Sequence, residues 1–558
     1  MDNSALLLLI VLAYFALLLG IAFYTSRGSD NESFFIGNRN SKWWVVAFGM
    51  VGTSLSGMTF ISVPGTVGSS GFDYFQVVIG YLLGYFVVAY VLLPLYYRLH
   101  LTSIYSYLDK RLGRTAYKTG ALFFILSRTL GATLRLYLVI KVLQLFVLDS
   151  MGISFEVTSV VILLLILLYT FRGGVKTIVW TDTLQTTFML VALLVCVGYI
   201  MSELNLDLGS TWTAMAGRGY TRMIGTDPMN ASFFAKQVLG GAFITITMTG
   251  LDQEMMQKNI SVSNLKDSQK NMLTLSFLQM GVVFIFLLLG GLLYLYAGAK
   301  GITASGDALF PTIVVGTAEI PSALPFVITV CFMIGLISAL FPSADGALTA
   351  LTSSFCIDIL GIKRNPELNK EVEIAGLKQK DPEGIKKQER TRLAVHCAMA
   401  VVFLFFVFFF RKVDNGSLIS ILLKVAGFTY GPLLGLFAFG ILTHRTVNQK
   451  LIPMVCIDAL LLTIGLDFLN NPEWYTSKIA SLKPYEASLQ ELSRSLFGGY
   501  KIGLELLIIN AAIAFLLLFL FSKKGSIAKT NTEDERPTNE AETARLDGDQ
   551  SSLQLADI

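Results

Sequence analysis

Apolar stretches of about twenty residues recur from one end of the chain to the other, and that recurrence restricts the fold more than any single motif. A helix needs about 20 mostly apolar residues to cross the hydrocarbon core of a bilayer. No water is available there, so the backbone must satisfy its own hydrogen bonds, and helices do so within one segment. The stretches run from about Ala5 to Tyr24, Trp43 to Val63, Tyr74 to Tyr97, Gly120 to Leu148, Phe155 to Phe171, Asp182 to Met201, Phe233 to Gly250, Leu273 to Ala297, Pro321 to Phe355, Leu393 to Phe410, Ile419 to Leu442, Leu451 to Leu469 and Gly503 to Phe521. Of 558 residues, 54% are hydrophobic and only 15% charged, more apolar surface than a soluble chain can hide. The predicted class is an all-α polytopic membrane protein of about thirteen transmembrane helices.

The first stretch has no basic flank and no small-residue cleavage pattern, so it reads as a retained span and not a signal peptide. Basic residues gather in alternate loops: Arg27, Arg39 and Lys42; Arg98, Lys110, Arg111, Arg114 and Lys118; Arg172 and Lys176; Lys258, Lys266 and Lys270; Arg445 and Lys450; Lys523 and Lys524. The positive-inside rule puts these loops in the cytoplasm of a plasma (inner) membrane protein, with the N-terminus outside and the C-terminus inside. The mixed-charge stretch from Lys363 to Arg392 reads as a cytoplasmic loop with some helix. The acidic tail beyond Gly525 reads as disordered.

Several function classes fall away on composition. The formal charge of +4 is scattered rather than gathered on a stripe, which argues against nucleic acid. The five cysteines sit inside apolar stretches, unlike a disulfide frame or a zinc site. Three distant histidines, His100, His396 and His444, offer no transition-metal centre and little for an enzyme to use. No organic cofactor and no obligate protein partner are expected; the partners are the bilayer and a small solute.

Interrupted helices point to a transport site, because an unwound turn presents carbonyls and half-helix ends to an ion or solute. The second span carries Ser54, Ser56, Thr59 and Ser62 between Gly52, Gly57 and Pro64-Gly65, a density of hydroxyls and small residues that favours a break over plain close packing. A second break is expected in the ninth span, where Pro342 lacks an N–H and frees the carbonyl of Ser338. Ser338, Asp345, Thr349 and Thr352 form a polar stripe there. Ionisable groups at membrane depth are functional candidates. Asp182 opens the sixth span, and Arg128 and Arg135 share one face of the fourth. Arg135 suits a solute carboxylate, which a guanidinium holds by two parallel hydrogen bonds. The alternative is that Arg135 pairs internally with Asp182 or Asp345 and Arg128 snorkels.

Four motifs in this order resemble the sodium/solute symporter family: Ser54-Leu55-Ser56-Gly57 with Pro64-Gly65; Phe171-Arg172-Gly173-Gly174 with Trp180-Thr181-Asp182 and Gln185; Gly250-Leu251-Asp252-Gln253 with Gln257-Lys258 and Leu265 to Lys270; and Ser343-Ala344-Asp345 with Asp358. The resemblance implies an inverted five-helix-repeat core with broken helices at the midplane. The implied segments are 1–42 (first helix and loop), 43–203 and 204–442 (the two repeats, the second including loop 362–392), 443–523 (two further helices) and 524–558 (the tail). It also implies a sodium site built from the carbonyls of Gly52, Leu55 and Ala339 and the hydroxyl of Ser343, with Na+ as coupling ion. Pro342 stands where members typically place another hydroxyl. Asp182, Asp345 and Ser338 form a possible second cation or proton site, since like charges close together raise a pKa. In the sialic acid branch an arginine in the fourth span holds the solute carboxylate, and Arg135 resembles it, with Ser56 and Thr59 beside the solute and Tyr74 capping it. A glutamine of that branch corresponds to Val78.

The expected function is sodium-coupled uptake of a small, carboxylate-bearing solute by alternating access. A proton-coupled or sodium-coupled carrier of a neutral sugar, or a membrane-embedded solute sensor, is the alternative.

Overall fold

The computed structural model describes residues 3–25, 41–99, 101, 103–316, 321–362, 371–374, 377–413 and 418–524. The main helices are α1 (Asn3–Thr25), α2 (Trp43–Ser54), α3 (Gly57–Ser70), α4 (Tyr74–Val87), α5 (Arg114–Leu143), α6 (Phe155–Glu203), α7 (Phe234–Thr245), α8 (Gln253–Ile260), α9 (Leu265–Lys300), α10 (Phe326–Ser354), α11 (Pro382–Val413), α12 (Leu418–Leu442), α13 (Leu451–Asn470) and α14 (Leu506–Leu520). Among the described residues, nine helices are long and apolar enough to cross a membrane, and α2 with α3 makes a tenth, bent span. The other expected spans are the shorter apolar helices Phe155–Leu168 and Leu506–Leu520 and the interrupted stretch of α7 and α8.

The expected break in the second span is present. Helix α2 stops at Ser54, Leu55 and Ser56 are extended, and α3 restarts at Gly57 with a 57° change of direction. The break expected at Pro342 is not: α10 stays helical through it. A proline costs one hydrogen bond and some bending, and the buried neighbours on every side of this segment hold it helical. The second break falls instead in the seventh span. After α7 a π turn over Ile246–Gly250 leads to extended Asp252, which opens α8. Asp252 Oδ1 caps that new helix by accepting from the backbone N–H groups of Glu254 (2.9 Å) and Met255 (3.3 Å).

Helical hydrogen bonding in α6 runs on through 49 residues, about 74 Å if straight and far more than a bilayer's thickness. Its two halves have different neighbours. Phe155 lies against Phe408 and Thr170 against His396 on α11, whereas Thr177 meets Thr25 and Phe188 meets Tyr14 on α1. The helix is continuous through 171–176, where a loop between two spans is expected after Phe171; the side chains of Arg172 and Lys176 lie outside the described ones.

Close packing uses small residues where backbones cross. A Cβ at Gly80 would lie 2.2 Å from the carbonyl oxygen of Val238, and one at Gly241 2.2 Å from that of Val77, so α4 and α7 touch backbone to backbone. The stretch expected to be a loop after Lys363 contains an antiparallel hairpin of β1 (Glu371–Ile374) and β2 (Leu377–Lys380), and α11 begins at Pro382, well before Leu393. The acidic tail lies outside the described residues.

Candidate functional site

The two breaks face a common interior. Between them lies a cavity walled by the α2–α3 break (Ser54, Leu55, Ser56, Thr59), by Tyr74, Tyr81 and Tyr85, by Arg128 and Arg135 of α5, by Met248 and Thr249 of the π turn, and by Gln279 of α9. All four residues expected beside the solute, Ser56, Thr59, Tyr74 and Arg135, line it. Val78 is buried outside this wall, and the glutamine that does reach the cavity, Gln279, comes from α9 and accepts from the hydroxyl of Tyr85 at 2.6 Å. The hydroxyls of Tyr74 and Tyr81 lie 3.2 Å apart. Sequence reasoning missed Tyr81 and Tyr85, although spacings of seven and eleven from Tyr74 put them on one helix face.

The two arginines have different roles. Arg128 is 3% exposed and has carboxylate partners: it pairs with Glu254 through a short contact, and its Nη1 lies 3.7 Å from Asp252 Oδ2, which also accepts from the Tyr430 hydroxyl at 3.0 Å, while its Nε is left without a partner. Arg135 has no carboxylate within ion-pair distance among the described residues, and its Nε is buried without a hydrogen-bond partner. Arg128 is thus the internal pair, not a snorkelling residue, and Arg135 is not paired with Asp182 or Asp345.

Beside the cavity sits a cluster the loop assignment concealed. Lys258, expected in a cytoplasmic loop, is 2% exposed. Its Nζ donates to Asp182 Oδ2 (2.7 Å), Thr53 Oγ1 (2.8 Å) and Glu254 Oε1 (3.3 Å). Thr53 donates in turn to Asp182 Oδ2 at 3.1 Å. Asp345 is fully buried and accepts from the Gly346 N–H. A Cβ on Gly346 would lie 2.2 Å from Glu254 Oε1 and 3.0 Å from Lys258 Nζ, so only glycine leaves room for the network. Ser338 does not join Asp182: its hydroxyl donates to Tyr14 of α1 at 2.7 Å. A one-residue contact across α1 took that side chain, and nothing in the spacing along α10 announces it.

The oxygens expected to hold sodium lie where α2 ends. The last carbonyls of a helix have no intrahelical partner, and here that end carries Gly52 and, at the break, Leu55. A Cβ on Gly52 would lie 3.5 Å from Pro342, and one on Gly57 3.8 Å from Leu340 Cα, so the break rests on the α10 turns that carry Ala339 and Ser343. The Ser343 hydroxyl donates to the Leu340 carbonyl at 2.8 Å, leaving its lone pairs for a cation. Thr186, another residue the sequence reading passed over, accepts from Gly52 N–H at 3.1 Å, and a Cβ on Gly52 would lie 2.3 Å from that hydroxyl oxygen. Gly52→Ala is therefore expected to push α2 off α6 and raise the sodium concentration for half-maximal uptake at least tenfold. Gly52→Ala with Thr186→Ala should recover part of that loss; equal defects in both would show the contact is not the cause.

The sodium:solute symporter family model matches residues 34–379, more than half of the chain. The chain belongs to the sodium:solute symporter family. Members of this family are sodium-coupled membrane transporters rather than enzymes. Similar proteins include sodium-coupled monocarboxylate transporter 2 of Mus musculus, 24% identical over 76% of this chain. Another is the sodium/sialic acid symporter of Proteus mirabilis, 24% identical over 77%. The match spans 65% of the length of the first and 83% of the second. Among solved structures, a substrate-bound outward-open state of a Na+-coupled sialic acid symporter superposes with a TM-score of 0.71 at 18% identity, covering 93% of this chain and 97% of the other. That superposition shows the shared fold.

Proposed function

We propose that this symporter couples sodium to the uptake of a small carboxylate-bearing solute. The observation that carries the reading is Arg135: a guanidinium buried in lipid-depth protein with no carboxylate partner among the described residues, facing a cavity whose other wall is a broken helix. A buried charge without a counter-ion is costly, and a solute carboxylate supplies one by a bidentate pair. The relatives named for monocarboxylates and for sialic acid fit the same chemistry.

Sodium enters first, held by the carbonyls of Gly52, Leu55 and Ala339 and the hydroxyl of Ser343. It ties the α2–α3 break to α10 and so fixes Ser56 and Thr59, which flank the same break, for the solute beside Arg135 and under Tyr74. Asp182 and Asp345 stand next to this path. Segments 43–203 and 204–442 form the two inverted halves whose rocking exposes the cavity alternately, with the N-terminus outside and the C-terminus in the cytoplasm. One sodium per solute lets a tenfold sodium gradient sustain about a tenfold solute gradient, since each factor of ten is worth about 1.4 kcal/mol on either side.

Uptake by the purified protein in proteoliposomes tests this, with a panel of pyruvate, N-acetylneuraminate and glucose under an inward sodium or choline gradient. Sodium-driven accumulation of a carboxylate above its outside concentration is the expected result. Ser343→Ala should raise the half-saturating sodium concentration about tenfold, the worth of one hydrogen-bond-class contact to a charge. Uptake indifferent to sodium, or sodium-driven uptake of glucose alone, overturns the reading.

A further inference from the structure

The geometry points to Lys258 as a built-in cation that occupies the second cation position of this carrier, so that each cycle binds a single sodium. The inference rests on the sodium-coupled reading above and specifies its stoichiometry. Lys258 Nζ has three protons, and three oxygens meet it: Asp182 Oδ2 at 2.7 Å, Thr53 Oγ1 at 2.8 Å and Glu254 Oε1 at 3.3 Å. These oxygens come from three separate elements, α6, α2 and α8, and converge on one point that is almost wholly screened from water. A carboxylate, a hydroxyl and a second carboxylate around one point are a donor set for a hard monovalent cation. The ammonium fills it, and the bare Gly346 behind it keeps the space open for it.

The neighbouring groups show that the ammonium is needed as a charge and not as a packing element. Glu254 shares its other oxygen with Arg128, and Asp182 Oδ1 is buried without a hydrogen-bond partner. Removing the positive charge leaves Asp182 with only the Thr53 hydroxyl to offset it. A buried carboxylate in that state recruits a cation or a proton. Because Lys258 is fixed to the chain, its charge stays with the protein through every cycle. One sodium with one carboxylate then carries no net charge across the membrane.

The count of sodium ions bound decides the matter without reference to the solute. Purified full-length protein in nanodiscs is dialysed against ²²Na+ at increasing concentration. Wild type is expected to saturate at one sodium per chain with a Hill coefficient near 1, and Lys258→Arg, which keeps the tethered charge, at the same count. Lys258→Met is expected to bind two with a Hill coefficient approaching 2, and to gain more thermal stability from sodium than wild type does. Lys258→Met with Asp182→Asn should return to one. Two sodium ions on wild type overturn the inference and leave sodium coupling intact; none on wild type overturns both. A folded Lys258→Met that still binds one overturns the inference alone. If that variant does not fold in any salt, the counts for wild type and Lys258→Arg decide: one in each supports the inference and two overturns it.

Discussion

Arg128→Met is expected to cost more stability than any other single substitution in the membrane core. It strands Glu254 and Asp252 in the interior, both almost fully buried and both facing the missing guanidinium. Breaking a buried pair by removing one partner costs about 3–5 kcal/mol, a large share of the margin by which proteins are folded. Thermal unfolding in detergent, read by tryptophan fluorescence with gel filtration as a check on aggregation, should show a strongly lowered transition or no folded peak. Adding Glu254→Gln to Arg128→Met should recover part of the loss, because the uncompensated charge is then gone. A transition unchanged in Arg128→Met would mean that the pair contributes nothing to holding α8 against α5.

Arg135→Ala is expected to behave in the opposite way. No carboxylate within ion-pair distance depends on it among the described residues, so folding should be preserved or improved. The loss should fall on the solute. Truncating one member of a buried hydrogen-bonded charge pair costs about 2–5 kcal/mol, which is about thirtyfold or more in the concentration of carboxylate needed for half-maximal uptake. Sodium binding measured without solute should be unchanged. The measurement is uptake at varied carboxylate concentration together with sodium-induced thermal stabilisation. Unchanged carboxylate affinity in a folded Arg135→Ala would remove the guanidinium from the solute site and favour a neutral substrate.

Where the sequence and the structure part company, contacts between residues distant in the chain decide. Length and apolarity are properties of one segment, and they located the stretches that became α1, α4, α5, α9 and α10. The break at Leu55–Ser56 was legible too, because glycines and hydroxyls weaken a helix locally. Pro342 carries an equally local signal and misled, since the packing around α10 outweighs one missing hydrogen bond. Gln253 to Ile260 misled for the converse reason. Its string of polar side chains reads as a loop, yet every residue in it is buried, because Arg128 and Asp182, far away in the chain, supply the compensating charges. Pairing of that kind is invisible to hydropathy, which scores each residue as if it stood alone. The cavity was half legible: Arg135, Ser56, Thr59 and Tyr74 stood out as polar groups at membrane depth, whereas Gln279 and the face of Tyr81 and Tyr85 required knowing which helices meet.

The burial of α8 also bears on how the protein is made. A lysine or aspartate costs about 2.5–3.5 kcal/mol at the centre of an inserting helix, so Gln253 to Ile260, with Glu254 and Lys258 and Asp252 just before it, has little tendency to enter lipid unaided. Its counter-charges, Arg128 and Asp182, lie earlier in the chain and are therefore synthesised before it. The order of synthesis therefore gives the nascent segment a polar dock to enter. A chain in which α8 preceded α5 and α6 would present three naked ionic groups to the insertion machinery with nothing to receive them.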